Sequence, residues 1–373
     1  MPTPPWWIDT HDAPDAVWVA AYTNDVFGYV ASERMRAEGG YEVDYSMIYY
    51  MQPGRWSSGT EDVILRRIHE LFENRGGDEP LSATEALKTF TLPEGFEIEL
   101  IAAEPLVRDP VNFAVDAQGR LWVVEMGDYP RGAPDGSGWS PGQVPGGKPW
   151  DGPAAGRIKY LTDTDADGSY DTATLFLDGL SFPTGVFPWR DGVLVSCAPD
   201  IFFARDDDGD GRADYREVLY TGFEEGNPQH RVNGFEWGLD GWLYVAGGGP
   251  SDRITCVKTD EVVDISRRDI RIHPDTNRIE PVSGHSQYGR CRDDFGNWYG
   301  NNNSEPLFQY VIEDPQLRRN PFVPSPSPRA FLTDPPRAPR VYPTSRTLDR
   351  FNDLYAADRF TSACAPQVFR DET

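Results

Sequence analysis

Two short stretches carry the spacing of carboxylates that wraps a hard cation. Residues 163–171 read DTDADGSYD and residues 206–214 read DDDGDGRAD. In the first, Asp163, Asp165 and Asp167 occupy alternate positions ahead of Gly168 and Asp171; in the second, Asp206, Asp208 and Asp210 do so ahead of Gly211 and Asp214. Oxygen ligands on alternate residues around a glycine turn suit calcium. Glu217 stands at the twelfth position of the second stretch and completes the EF-hand loop pattern, whereas the first has Thr174 there. Both stretches are flanked by strand-like sequence, so a calcium loop between strands is expected rather than an EF-hand. A metal-free Asp/Gly hairpin turn is the competing reading, and on either one the role is structural.

Five histidines are the remaining candidates: His11, His69, His230, His273 and His285. His69 falls on an amphipathic stretch and His273 beside a turn. His230 stands in NPQHRVNGFEWGLDGWLYVAGGG, a loop that feeds an apolar strand, with Arg231 and Asn233 beside it. A histidine so placed can act as a general base, and a structural role stays open beside that reading.

The elements that would position these residues repeat along the chain. A turn glycine leads into an apolar strand at QGRLWVVE, DGVLVSC, DGWLYVAG and FGNWYGN, around Gly119, Gly192, Gly241 and Gly296. Several short strands per unit of roughly 40–55 residues predict a β-propeller. Residues 130–155, rich in Gly and Pro, read as an exposed loop. The last residues, RFTSACAPQVFRDET, carry no closing strand, so the six-bladed-type propeller is expected to be incomplete.

The first 75 residues differ. Val17–Tyr22 predicts a strand, and the apolar spacing of TEDVILRRIHELFE predicts a helix over 60–73 with Thr60 as its N-cap. The expected organisation is a small α/β segment (1–75), a linker (76–90) and a mainly β propeller (91–373). Composition excludes several classes. A formal net charge of −25 over 373 residues repels phosphate backbones, which excludes nucleic acid. No apolar run is long enough for a transmembrane helix, and no signal peptide is visible. The four cysteines, Cys197, Cys256, Cys291 and Cys364, are too far apart for a CxxC zinc site or a CxxCH haem motif.

The stretches PEGFEIELIAAEPLVRDPVNFAVDAQGRLWVVEMGDYP, QHRVNGFEWGLDGWLY, FGNWYGNNNSEPLFQYV and YPTSRTLDRFNDLYAADRFTSAC resemble the N-terminal propeller of the membrane-bound dehydrogenase family abundant in Planctomycetes and Verrucomicrobia. That family is itself similar to soluble aldose dehydrogenases that use pyrroloquinoline quinone with calcium. Their spacing is matched by His230, Gly238, Asp240, Leu243 and Tyr244. The resemblance implies a sugar or alcohol substrate, His230 as base and an extracytoplasmic location. It also implies a cytochrome c electron acceptor, whose domain is absent from this sequence. Quinone binding falls to Arg231, Asn233, His285 and Arg290. Where the family has an Arg-Asn pair four residues before the glycine, this chain has His285-Ser286 ahead of Gly289, with Arg290 or Arg292 as the expected substitute.

Residues 17–73 resemble the C-terminal part of neutral ceramidase-like hydrolases, with Tyr29 at a zinc-ligand position. The other ligands and the nucleophile of that family are not in this sequence, and a lone tyrosine cannot hold zinc. A remnant without amidase activity is expected. The alternative for the whole chain is a non-enzymatic, calcium-stabilised propeller that binds glycan or protein. Asn301–Asn303 would then lie at its rim, and Trp237, Trp242 and Trp298 would serve either as ligand platforms or as core.

Overall fold

The computed structural model describes residues 36, 37, 55, 57–64, 66, 81–129, 154–249, 251, 253–266, 268–320, 322–341, 359, 360 and 362–370. The chain divides into two compact units: Met1–Ser82 with Tyr342–Asp358, and Ala83–Val341 with Arg359–Thr373. In the first unit residues 60–64 are helical. Thr60 itself falls within that helix, and its hydroxyl donates to the Ser57 carbonyl at 2.8 Å. The strand predicted at 17–22, Tyr29, His11, His69 and most of the helix over 60–73 lie outside the described residues.

The second unit opens with a short helix α1 (Ala83–Leu87) and continues as strand after strand. Sheet one holds β1 (Pro110–Val115), β2 (Leu121–Met126), β3 (Gly156–Thr162) and β4 (Thr172–Leu180) in that order. Sheet two begins with β5 (Gly185–Trp189), β6 (Gly192–Cys197), β7 (Asp200–Arg205) and β8 (Tyr215–Thr221). Sheet three orders β9 (Asn233–Trp237), β10 (Leu243–Ala246), β13 (Asp269–His273) and β14 (Arg278–Val282). A hairpin inserted between β10 and β13, β11 (Arg253–Cys256) and β12 (Glu261–Asp264), leaves sheet three and pairs with β8. It covers an edge that would otherwise expose unpaired backbone groups. Sheet four holds β15 (Arg290–Arg292), β16 (Trp298–Asn302), β17 (Glu305–Tyr310) and β18 (Arg329–Phe331), with a single turn of helix α2 (Asp314–Leu317) before β18.

All pairings are antiparallel, and the first strands follow one another: β1 beside β5, β5 beside β9, β9 beside β15. Consecutive sheets share cores. Trp122, Val124, Ile158, Val186, Val193 and Phe202 pack between sheets one and two, and Leu194, Ile201, Leu243, Val245, Ile270 and Ile272 between sheets two and three. Four-stranded sheets packed face to face in chain order are propeller blades, and the fold is a mainly β propeller. No closed ring is formed by the described residues, and the apolar side chains of Val111, Phe113 and Val115 on β1 are exposed.

The second strand of each blade explains why the repeat was readable. It has a strand on either side, and β2 and β10 are buried at every residue. Trp122 and Val124 pack toward sheet two, while Leu121 and Val123 are covered by Ala102, Leu106 and Val107 from the chain before β1. Such strands read as continuous apolar runs rather than alternating ones. The turn before them is locked by an aspartate in two blades. Asp116 accepts from the Arg120 amide at 2.9 Å and from Trp122 Nε1 at 2.8 Å; Asp293 accepts from the Asn297 amide at 2.9 Å and the Tyr299 hydroxyl at 3.1 Å.

Candidate functional site at the loop end of the blades

Strands alternate in direction within a blade, so its connections divide between two ends. First-to-second and third-to-fourth connections lie at one end; second-to-third connections and the crossings to the next blade lie at the other. Both acidic stretches are third-to-fourth turns, β3 to β4 and β7 to β8. His230 lies on a crossing, in a 3-10 turn at Pro228–His230 just before β9. The acidic turns and His230 are therefore at opposite ends of the blades.

At the loop end, crossings and second-to-third connections bond to one another. Asn227 caps the 3-10 turn by accepting from the Gln229 amide at 3.0 Å, and Gln229 donates to the Tyr129 hydroxyl at 2.5 Å. His230 Nε2 lies 2.9 Å from Gln287 Nε2. Gln287 Oε1 accepts from the Asn303 amide at 3.2 Å, which turns the NH2 group toward the histidine. His230 Nε2 is thus an acceptor, and the neutral ring carries its proton on Nδ1. His285 differs: its Nε2 lies 3.1 Å from the Gly249 carbonyl and donates to it. Partial burial, and then the neighbouring His285, lower the pKa of His230 below the ordinary histidine value. It is held neutral.

The glycines of the VAGGG run make this arrangement fit. A Cβ on Gly248 would lie 2.0 Å from the Arg231 carbonyl oxygen, and one on Gly249 would lie 2.4 Å from that of His230. Gly248 also has a positive φ of 67° and donates to the Ser286 carbonyl at 3.1 Å. Gln287, Gly248 and Gly249 were not among the expected site residues. Three successive glycines directly after a buried strand were the available signal for close backbone approach.

The other residues expected to hold a cofactor are brought to the same region but turned inward. Arg231 is 2% exposed and donates to the carbonyls of Ser181 at 3.3 Å and Glu225 at 2.5 Å. Its guanidinium lies over the Phe182 ring and within electrostatic reach of buried Asp128. Asn233 ties three backbones: it donates to the carbonyls of Arg231 and Gln287, each at 2.8 Å, and accepts from the Gly289 amide at 2.6 Å. Arg290 is buried among Tyr244, Trp298 and Tyr310 and pairs with buried Asp269 at 3.2 Å. Asp240 also serves the fold, accepting from the Tyr244 hydroxyl at 3.0 Å and pairing with Arg271 at 2.8 Å. Trp298 stacks on Tyr244 with ring centroids 4.0 Å apart. Trp242 lies between Arg271 and Arg278, and Asn301 is buried.

At the opposite end, carboxylate oxygens of Asp163, Asp165 and Asp171 lie within 4.8 Å of one another, as do those of Asp206, Asp208 and Asp210. One oxygen of Asp163 is buried without a partner. Asp206 accepts from the Gly209 and Gly211 amides at 2.7 and 2.8 Å, which holds its pKa below the usual carboxylate value. Three ionised carboxylates so close repel one another unless a cation lies between them, and their all-oxygen donor sets fit calcium. Asp167 and Asp214 are not in these clusters: they accept from backbone amides within the turns. Glu217 lies on β8 and pairs with Lys258 at 3.1 Å. The twelve-residue loop pattern is therefore not reproduced. Cys197, Cys256 and Cys291 are buried thiols and Cys364 is exposed.

Residues 82–373 match the family model described as Domain of unknown function (DUF7133). No curated protein matches the chain. Among solved structures, virginiamycin B lyase from Staphylococcus aureus is 12% identical over 54% of this chain and 52% of its own, with a TM-score of 0.29. The PQQ domain of pyranose dehydrogenase from Coprinopsis cinerea is 16% identical over 56% of this chain and 47% of its own, with a TM-score of 0.32. A luciferin-regenerating enzyme is 14% identical over 53% and 52%, with a TM-score of 0.28. This chain spans about half the length of these structures.

Proposed function

The chain belongs to the DUF7133 family, whose description carries no activity, and on that premise we propose from the site itself that it oxidises a sugar or alcohol hydroxyl. One observation carries this reading: His230 is a half-buried histidine held neutral, with its Nε2 lone pair engaged, among the described residues, by the side-chain amide of Gln287 alone. A substrate hydroxyl that displaces Gln287 meets an unprotonated Nε2 at neutral pH. His230 would take that proton, and the lowered pKa lets it do so without first losing one of its own.

The electron acceptor proposed from the sequence is pyrroloquinoline quinone, which when bound supplies the hydride acceptor. Arg231, Asn233 and Arg290 are buried and bonded to protein groups, with the Nε atoms of Arg231 and Arg290 unpartnered but enclosed among the described residues, so the residues named for this tricarboxylate do not fit it. Only His285 keeps a ring nitrogen, Nδ1, with no hydrogen bond among the described residues. Proton transfer at His230 is the one step derived. Calcium is proposed at the two acidic turns as a brace for the hairpins, remote from the chemistry. A cytochrome c as final acceptor and an extracytoplasmic location follow from the sequence resemblance.

The inward-turned Arg231, Asn233 and Arg290 favour a second reading, a calcium-braced propeller that binds glycan or protein without catalysis. Two measurements separate the readings: tryptophan quenching by pyrroloquinoline quinone with and without calcium, and dye reduction over a panel of aldoses and alcohols. The dehydrogenase reading expects saturable quinone binding and a turnover that falls at least about 100-fold in His230→Ala while the fold is kept. A well-folded chain that neither binds the quinone nor reduces the dye with any substrate leaves the binding reading.

A further inference from the structure

We infer that the cavity between α2 and the β14–β15 crossing binds the carboxylate of a sugar acid. This cavity, of about 800 Å³, is lined among the described residues by Ser266, Arg268, His285 and Asn302 and by side chains of α2 and the segment leading to β18, and its size is that of a small-molecule site. Three guanidiniums line it, those of Arg268, Arg318 and Arg329, against one carboxylate, that of Asp314. In a chain of formal net charge −25, such a concentration of positive charge is a local reversal.

The excess arises because guanidiniums share carboxylates in pairs. Asp314 is buried and accepts from Arg268 at 2.8 Å and Arg318 at 2.9 Å on the same oxygen, Oδ2. Glu305, also buried and behind the lining, takes Arg329 at 2.7 Å and Arg337 at 2.8 Å. Four cations meet two anions, and the deficit faces solvent. Arg268 is fully used, since its Nε and second terminal nitrogen go to the carbonyls of Ile265 and Asp264. Arg318 spends only Nε in the described bonds, and its side chain is 57% exposed. Both of its terminal nitrogens are thus available as the parallel pair that grips a carboxylate.

The rest of the lining mixes the apolar surfaces of Leu317, Val323, Pro326 and Pro328, which can meet the C–H face of a sugar ring, with polar groups that suit its hydroxyls. Asn302 gives its amide nitrogen to Glu305 at 2.9 Å and keeps its carbonyl oxygen. Asn320 accepts from the Phe322 amide at 3.1 Å and keeps its NH2. A free carbonyl and a free NH2 match the paired donors and acceptors of a polyol. The inference does not depend on His230 being a base.

Calorimetric titration of the purified chain tests it, with glucuronate as probe, glucose as the uncharged control and inorganic sulfate as competitor. Glucuronate is expected to bind at least tenfold more tightly than glucose, to be displaced by sulfate and to weaken as salt rises. Arg318→Ala should weaken it about tenfold and Arg318→Glu abolish it, with glucose unchanged and the thermal midpoint preserved because Arg318 is exposed. Equal affinity for glucuronate and glucose, glucuronate binding that survives Arg318→Glu, or no glucuronate binding by the folded chain would each overturn the inference.

Discussion

His230 owes its state to two neighbours of different kinds. Burial removes water from the ring, and His285 makes a second positive charge costly nearby. The Gln287 amide then stabilises the neutral form by donating to Nε2. Replacing Gln287 by Met removes that donor, so the pKa of His230 should rise toward the ordinary value, read by NMR titration of the imidazole; an unchanged pKa would show that Gln287 does not set the tautomer. The same shift fixes a pH dependence. A histidine whose folded pKa lies below its unfolded value binds fewer protons folded than unfolded, so its contribution is intact above pH about 6.5 and is lost as pH falls through the folded pKa. Urea midpoints should therefore decline below pH about 6.5, and His230→Gln should flatten that part of the decline. Little of this was legible in the sequence. Loop position marked His230 as a candidate, but the partners that decide its protonation come from a crossing more than fifty residues later. Arg231 and Asn233 looked like ligand residues for the same reason, and only their burial reveals that they hold backbone together.

At the scale of elements, the second strand of each blade was the most readable feature and the glycine run after β10 the least. In β2 and β10 these strands are apolar on both faces because both faces are buried, so LWVV and LYVA announce themselves without a partner, whereas β16, WYGNN, is only partly buried. The VAGGG run needs the neighbouring crossing before its meaning is clear. Gly248 sits where backbone from two connections meets, and its positive φ adds to the steric argument. Gly248→Ala forces a Cβ against the Arg231 carbonyl. The expected cost is on the order of 2–4 kcal/mol, measured by urea unfolding, and the variant should also shift the His230 and His285 imidazole signals, whose loops it pushes apart. A cost below about 1 kcal/mol, the usual level for an unstrained site, would show that the crossing yields. The inserted hairpin β11–β12 was hidden for another reason. Its residues are strand-like, but nothing local says that they pair with β8 of the preceding blade rather than with their own.

On the scale of the whole molecule, the blades separate two kinds of site. Third-to-fourth turns hold the acidic clusters, and crossings hold the histidines, so a cation at one end cannot touch a substrate at the other. What calcium can do is stabilise the hairpins, and through them the cores shared by sheets one, two and three. An ion that binds only the folded chain adds stability as its concentration exceeds its dissociation constant, about 2.7 kcal/mol at a hundredfold excess. For a chain of this size that raises the thermal midpoint by roughly 1–2 °C for each kcal/mol. Calcium at millimolar concentration should therefore raise the midpoint by several degrees, a chelator should reverse the gain, and magnesium, which demands a tighter octahedron, should do less. The two turns can be separated: Asp206→Ala should remove one share and Asp163→Ala the other, since the clusters lie on different blades. Glu217→Ala should leave the calcium response unchanged, because its carboxylate, on β8, pairs with Lys258 of the β11–β12 turn rather than with the cluster. A midpoint indifferent to calcium would return both turns to metal-free hairpins, with the three close carboxylates held apart by their amide bonds alone.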